Sequence, residues 1–446
     1  MRLSATSPPA PARHTLSSFT PHNASALPGP SWLTARRAAA AERFAALSLP
    51  TESEEIWRYS RISQLDLAEF SPVIPTDGAV AAPGIPAELE SVVAAVGGYA
   101  ALIVVSNGSV SFAEIDPSLA GQGLYVGDVA DLPDGDDVLG AAAPSTIDAF
   151  TELNTAFLPG AAVVHVPAGL AVERPVLVLQ WLSGEGAAVF PRTIVQAGAD
   201  SEVTVVEHQA SADVRLLVDP VVEIDVADAA RVRYLNVQTL GPRIWQVGYQ
   251  ASRVGRDATL QSSVVALGGD YARVRTDSVI VGRGGSSYLT ALYFADGERM
   301  HDFRTVQDHA APSSTSDLLF KGAVQDHGRS VYSGLIRVRK EAVGTNAFQT
   351  NRNLVLSEGA SAESVPNLEI ETNDVRCSHA SAVGPIDEDQ LYYLESRGVP
   401  PDAAARLIVL GFFSEVLDRL PTPALLGTIR RAVADRLSQQ YEEVGA

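Results

Sequence analysis

Between Phe157 and about Cys377, short β-branched runs alternate with Gly, Asp and Ala turns, and few segments hold a helical period. Val163–Val166, Val176–Leu179, Val203–Glu207, Val221–Val226, Val232–Val237 and Val274–Val281 have the composition of strands. The turns recur: Gly198-Ala-Asp-Ser, Ala227-Asp-Ala-Ala, Gly255-Arg-Asp-Ala and Gly282-Arg-Gly-Gly begin 27 to 29 residues apart. Gln325-Asp-His-Gly and Ser357-Glu-Gly-Ala begin 32 apart. A strand–turn unit with that period predicts stacked coils, a β-helix or solenoid, in which each coil buries its inward side chains only against the next. A β-sandwich, whose strands also recur, fits the same spacing.

Outside this region the period changes. Ser31 to Leu49 reads as a helix, with Leu33, Ala40, Phe44 and Leu47 at helical spacing and Pro50 as its stop. Residues 51–150 mix short apolar runs with turn formers, including a strand at Ala101–Val105 before Asn107-Gly108 and an acidic loop at Asp131–Asp137. After Gly384 the pattern is helical. Asp387 caps a helix through Leu391, Leu394 and Glu395 that stops at Gly398. Pro400-Pro401 opens a second, with Ala405, Leu407, Ile408, Val409, Phe412, Phe413, Val416 and Leu420 almost continuous. Thr422-Pro423 opens a third, with Leu425, Leu426, Ile429, Val433 and Leu437 on one face. The second helix carries more apolar surface than a short exposed helix hides; packing on its neighbours and a partner surface both account for it. The resulting layout is a disordered tail at 1–30, a mixed helical region at 31–150, a β core at 151–383 and a helical region at 384–446.

Composition narrows the chemistry. The 446 residues are 46% hydrophobic, ample for a buried core. A net charge of −20 argues against nucleic acid or an anionic membrane as partner. The charge is uneven: residues 1–50 hold five Arg against one Glu, whereas residues 51–150 hold sixteen acidic residues against two Arg. Cys377 is the sole cysteine, which rules out an internal disulfide and fits a cytoplasmic location. A protein-held iron–sulfur cluster normally takes four thiolates, so this chain holds none in that way by itself. No apolar run approaches the ~20 residues of a membrane span. Met1 to Asn23 is rich in Ser, Pro and Ala without an apolar core, a disordered tail rather than a signal peptide. Phosphate-loop, nucleophile-elbow and zinc-helix motifs are absent from the sequence.

The most reactive grouping is Asn373-Asp-Val-Arg-Cys-Ser-His379. On an extended strand Cys377 and His379 share a face, because side chains alternate with period two. A thiol and an imidazole on one face can bind a soft metal, handle sulfur or act as nucleophile and base. A packed thiol beside a hydrogen-bonded histidine fits the same residues. His301, His309 and His327 lie among Asp302, Asp308 and Asp326; their spacing matches no ligand pattern and reads as turns between coils.

Several segments together resemble the SufB/SufD family of iron–sulfur cluster assembly proteins. Gln349-Thr-Asn-Arg-Asn-Leu-Val-Leu-Ser357 is followed in register by Pro366-Asn-Leu-Glu-Ile370, Asp374-Val-Arg-Cys-Ser-His-Ala380 and Asp389-Gln-Leu-Tyr-Tyr-Leu-Glu-Ser-Arg-Gly398. Upstream, Glu54-Glu-Ile-Trp-Arg-Tyr59, Asn154-Thr-Ala-Phe157, Lys321-Gly322 and Tyr332-Ser-Gly334 continue the likeness over roughly residues 50 to 420. The resemblance implies a right-handed parallel β-helix between helical ends. It implies a SufB–SufD pair that binds two copies of the ATPase SufC through the C-terminal helices, here through Leu407, Ile408, Phe412, Phe413 and Val416. SufB-like chains carry a Cys-Gly-Ala-His stretch where this chain has Ala360, Ser361, Ala362 and Glu363; its Cys-Ser-His form at 377–379 is of the SufD kind. The resemblance places His379 at the SufB interface in cluster assembly with Cys377 beside it, so that a transient cluster is shared with SufB and none is stably held by this chain alone. It implies a non-catalytic scaffold, with ATP hydrolysis in SufC. Two competing readings are a β-helix enzyme acting on polysaccharide, which would need acidic pairs along one β-face that the sequence does not repeat, and a homodimeric structural protein without cluster chemistry.

Overall fold

The computed structural model describes residues 18–74, 84–143 and 147–443. Helices α1 (Pro21–Ser25) and α2 (Ser31–Ala46) come first, then a two-residue strand β1 (Ser71–Pro72) and α3 (Ala87–Val96). A hairpin of β2 (Ala101–Ser106) and β3 (Ser109–Ile115) leads through α4 (Pro117–Ala120), β4 (Tyr125–Asp128) and α5 (Gly135–Val138) to α6 (Ala149–Phe157). Strands then dominate: β5 (Ala162–Val166), β6 (Val176–Leu182), β7 (Ala187–Val189), β8 (Arg192–Ala197), β9 (Glu202–Ser211), β10 (Leu216–Val218), β11 (Val221–Val226), β12 (Arg231–Thr239) and β13 (Ile244–Val254). They continue with β14 (Thr259–Ala266), β15 (Tyr271–Ile280), β16 (Ser286–Ala295), β17 (Met300–His309), β18 (Thr315–Val324), β19 (Arg329–Val338), β20 (Thr345–Val355), β21 (Ser361–Ile370) and β22 (Val375–Gly384). Helices α7 (Glu388–Ser396), α8 (Pro401–Leu417) and α9 (Leu426–Glu443) complete the described chain.

Successive long strands alternate between two sheets. One, of twelve strands, runs β21-β19-β17-β15-β13-β11-β8-β5-β4, with β10 branching from β13 and β7 and β1 following it; the other, of ten, runs β22-β20-β18-β16-β14-β12-β9-β6-β2-β3. Every ladder from β5 and β6 onward is parallel, so the chain winds as a β-solenoid of about eight turns. The recurring turns seen in the sequence are its corners. Their third residues, Asp200, Ala229, Asp257 and Gly284, have φ of 59°, 58°, 55° and 73°. That left-handed corner is what Gly and Asp tolerate best, which explains the spacing. Stacking is tight there: a Cβ on Gly282 would enter the backbone of Arg256 in the coil below.

The interior changes character along the axis. Near its start it is aliphatic, built from Val164, Val178, Val195, Val205, Ile224, Val232 and Leu260. Farther on, Tyr293, Phe303, Phe320 and Tyr332 fill it. The Tyr293 hydroxyl donates to Asn353 Oδ1 at 2.7 Å and accepts from Asn351 Nδ2 at 2.9 Å. At the N-terminal end both sheets finish in antiparallel strands, β3 on β2 and β4 on β5.

Residues 50–74 form a strap across the outside of the twelve-stranded sheet. Buried Asp302 accepts from Arg273 (2.7 Å), Arg304 (2.6 Å) and Tyr271 (2.8 Å). The two arginines also donate to the Ile56 and Arg58 carbonyls, and Arg273 lies 3.8 Å over the Trp57 ring. Pairing with both guanidiniums outweighs burial and holds the Asp302 carboxyl below its ordinary range, although burial alone would raise it.

The structure corrects the sequence reading at three places before the solenoid. Residues 1–17 of the expected tail lie outside the described residues, but 18–30 are packed. Phe19 meets Phe157 and Phe190 edge-on, Ala24 and Leu27 are buried, and Arg37 donates to the Leu27 and Pro28 carbonyls. Few apolar residues suffice because they insert into a surface made by other elements. The acidic stretch Asp131–Asp137 is helical at both ends, with a 3₁₀ turn at Val129–Asp131 and α5 after it. Phe157, where strands were expected to begin, ends α6, which Asp148 caps in a capping box with Thr151.

Helix α8 lies on the outer face of the ten-stranded sheet. Val409, Phe413, Val416 and Leu417 join one apolar cluster with Leu292, Phe294, Leu319 and Ala323, each buried Val, Leu or Phe contributing roughly 2 kcal/mol. Lys321 Nζ donates to the Phe412 carbonyl at 2.9 Å, pairs with Glu415 at 2.8 Å and sits over the Phe412 ring.

Candidate functional site: the open end of the solenoid

Strands β21 and β22 are the last rungs of their sheets, and among the described residues nothing pairs with their free edges. Each therefore presents a row of backbone N–H and C=O groups along ten residues. Their inward faces are also uncovered. In the coil below, inward positions Ala347, Gln349, Asn351 and Asn353 are buried. Their register partners on β22 are Cys377, His379, Ser381 and Val383. The same side-chain parity that fills the core one rung down here meets no further coil. Leu368, Ile370 and Val383 are 37%, 42% and 44% exposed as a result. Ser381 donates to Ser364 at 2.7 Å and ties the two last strands across the opening.

Cys377 and His379 thus share the inward face, as alternation required, and the imidazole is exposed while the thiol is half-buried. Cys377 packs against the cluster of Ile336, Val338, Ala342 and Ala347. Burial pushes its thiol up from the ordinary value, an effect the hydrogen bond with the Ala347 backbone only partly opposes. The sulfur is held protonated at neutral pH, and ligation of a metal must displace that proton. Asp374 sits at the exposed turn before β22, where its carbonyl accepts from Gly344. Among the described residues no group of three or more His, Cys, Asp or Glu is placed to hold a metal. His379 and Cys377 are a two-donor set open to a third party.

The other expected residues fall out differently. His301 and His309 are not turn residues but lie inside the solenoid, where burial lowers each to about 4. His301 Nε2 contacts the Phe294 carbonyl, and His309 sits between the Ser314 and Ser316 hydroxyls. His327 occupies a corner, and the three do not converge. Ala360 is buried at the corner opening β21, where Ser361, Ala362 and Glu363 begin the strand. Of the five helix residues expected to dock a partner, Phe413 and Val416 are buried in the chain's own core, and Phe412 is half-covered with Lys321 on its ring. Ile408 is half-buried, leaving Leu407 exposed at 53%. Sequence reasoning passed over Tyr392 and Tyr393 on α7, exposed at 73% and 58%. The signal was available: α7 is too polar to bury a face, so its aromatics point outward.

Comparison with known proteins gives a consistent picture. A family model described as SUF system FeS cluster assembly, SufBD core domain, matches residues 180–412. An iron–sulfur cluster assembly SufBD family protein of Mycobacterium tuberculosis is 36% identical over 316 residues, covering 68% of this chain and 77% of that protein. The iron–sulfur cluster assembly protein SufD of Escherichia coli is 26% identical over 402 residues, 87% of this chain and 89% of its own length. SufD of Bacillus subtilis is 31% identical over 292 residues, 61% and 63% of the two chains.

Proposed function

The chain belongs to the SufBD family of iron–sulfur cluster assembly proteins, and from that premise we propose that it is a SufD-like scaffold subunit whose open solenoid end forms half of a cluster-building site. The observation that carries this reading is the uncovered inward face of the last coil, with His379 exposed and Cys377 beside it. A SufB-like chain docks on the free edges of β21 and β22 by strand pairing and covers Leu368, Ile370 and Val383. It brings the ligands that this chain lacks. The cluster is cargo assembled there from iron and sulfide. Neutral imidazole from His379 binds iron directly, and the Cys377 thiol joins after losing its proton. His379 is the principal ligand and Cys377 the secondary one.

The ATPase SufC docks on the α7–α8 surface around Leu407, Tyr392 and Tyr393. Lys321 and the buried face of α8 link that surface to β18, two rungs from β22 in the same sheet. ATP hydrolysis in SufC then moves a helix that is fastened to the strands below the site, while this chain catalyses nothing itself. No helix among the described residues is long and apolar enough to cross a membrane. The cytoplasm, where thiols stay reduced, suits a lone half-buried cysteine.

Co-expression with SufB-like and SufC-like chains, intact-complex mass measurement and iron and sulfide analysis test this reading. A His379→Ala chain should still assemble with both partners, while cluster yield falls at least tenfold. Undiminished yield would remove His379 from the site, and a chain that copurifies only with itself would favour a homodimer.

A further inference from the structure

One buried side chain next to the site makes no hydrogen bond among the described residues. Gln349 is 1% exposed on the inward face of β20, and neither its carboxamide oxygen nor its nitrogen has a partner among the described residues. The large majority of buried carboxamides are hydrogen-bonded, so an unpartnered one beside an open site calls for an explanation. Its ladder neighbour on the inner side is Leu318, which offers nothing. Its neighbour on the outer side is His379. Paired residues on adjacent parallel strands stand about 4.8 Å apart on the same face, so a carboxamide and an imidazole come within reach when their side chains turn toward each other, although the two are not hydrogen-bonded in this structure.

The space around the amide is kept open. Across the coil stands Gly334, where a Cβ would lie 2.6 Å from Gln349 Nε2 and closer still to the Tyr332 hydroxyl. Any side chain there would occupy the room in which the carboxamide turns. Nε2 lies on the side of Gly334.

We propose that Gln349 is the positioning residue of the His379 site: its Oε1 accepts the N–H of one imidazole nitrogen, fixing the tautomer and presenting the other nitrogen's lone pair to iron at the open end. Metal-bound histidines generally donate their second N–H to such an acceptor, which sets ring orientation and raises ligand basicity. This rests on the assignment of His379 as a cluster ligand, but its physical content, one tautomer held by one amide, is measurable without any cluster.

The test uses the full chain with ¹⁵N-labelled histidine and reads ring-nitrogen shifts at a pH where His379 is neutral, its signals assigned by their loss in His379→Ala. In the native chain His379 should show one protonated and one unprotonated nitrogen. Gln349→Leu should collapse this to averaged shifts, and Gln349→Glu, which keeps the acceptor, should restore the single tautomer. Gln307→Leu is the control. Gln307 is equally buried and unpartnered, but it lies on β17 with Ile336 as its outer neighbour, so His379 should be unaffected. In the assembled complex Gln349→Leu should lower cluster yield about tenfold, with rescue by Gln349→Glu. A single tautomer surviving in Gln349→Leu would overturn the proposal even if His379→Ala abolished cluster formation. Unchanged cluster yield in His379→Ala would instead defeat the ligand role and leave the tautomer result standing.

Discussion

At its N-terminal end the solenoid closes with β3 and β4, which run antiparallel to their neighbours, and its interior there is sealed around Ile103, Val126, Val164 and Val178. At its C-terminal end β21 and β22 stop as bare parallel edges with Leu368, Ile370, Val383 and His379 uncovered. Both ends use the same coil and the same inward parity. What separates them is only whether something follows. A face is core when another coil stacks on it and a binding surface when none does, so chemistry can sit on positions that elsewhere would hold valine.

Substitutions that act on the two ends separately put this contrast at risk. Phe303→Ala, which opens a void between Tyr293 and Phe320, should lower the unfolding free energy by about 3–5 kcal/mol in denaturant titrations of the full chain. A loss under about 1 kcal/mol would mean that the middle of the solenoid is as loose as its end. Acid should act on the interior next. His301 and His309 are lowered by burial to about 4, from an ordinary value of 6.5. Their native pKa lies below the unfolded one, so the unfolded chain binds protons first. The stability they contribute is whole above pH 6.5 and lost as pH falls to about 4, roughly 3 kcal/mol per histidine. Urea unfolding at stepped pH should trace that decline, and His309→Asn should flatten part of it. A pH-independent midpoint across that window would show that the two imidazoles are not sealed. The smallest effect belongs to the open end. Leu368→Ala should change the stability of the isolated chain by no more than about 0.5 kcal/mol, while weakening partner binding severalfold in calorimetry. If stability falls as far as in Phe303→Ala, Leu368 is core and the end is not open.

How much of this could be read beforehand depends on whether the deciding interaction is local. The coil period was legible because Asp200, Ala229, Asp257 and Gly284 each sit where the backbone must turn left-handed, a demand made within four residues. The shared face of Cys377 and His379 was legible because strand alternation needs no partner. The orientation of α8 was not. Its apolar residues run nearly all round, so only the sheet beneath it decides that Phe413 and Val416 face inward and Leu407 outward. Residues 18–30 looked too polar to fold because their partners, Phe157 and Phe190, are more than a hundred residues away. His301 and His309 were misplaced at corners for a subtler reason. Parity along β17 puts 301, 303, 305, 307 and 309 inward, and Phe303 among them was the available clue. That Cys377 and His379 stand on the last coil was legible, since the strand pattern gives way to a helical one after Gly384; that their face is left uncovered was not, because it depends on what stacks beyond that coil.

The recurrence of identical rungs also makes the solenoid a ruler with discrete marks. Parallel coils add at about 4.8 Å each, so gaining or losing a whole coil would translate the imidazole along the axis without re-aiming it. Inserting one residue into a strand would invert inside and outside for the rest of that strand. Homologous chains of different length should therefore differ by multiples of a coil or at corners, and the reach of the assembly face should be set by counting rather than by fitting.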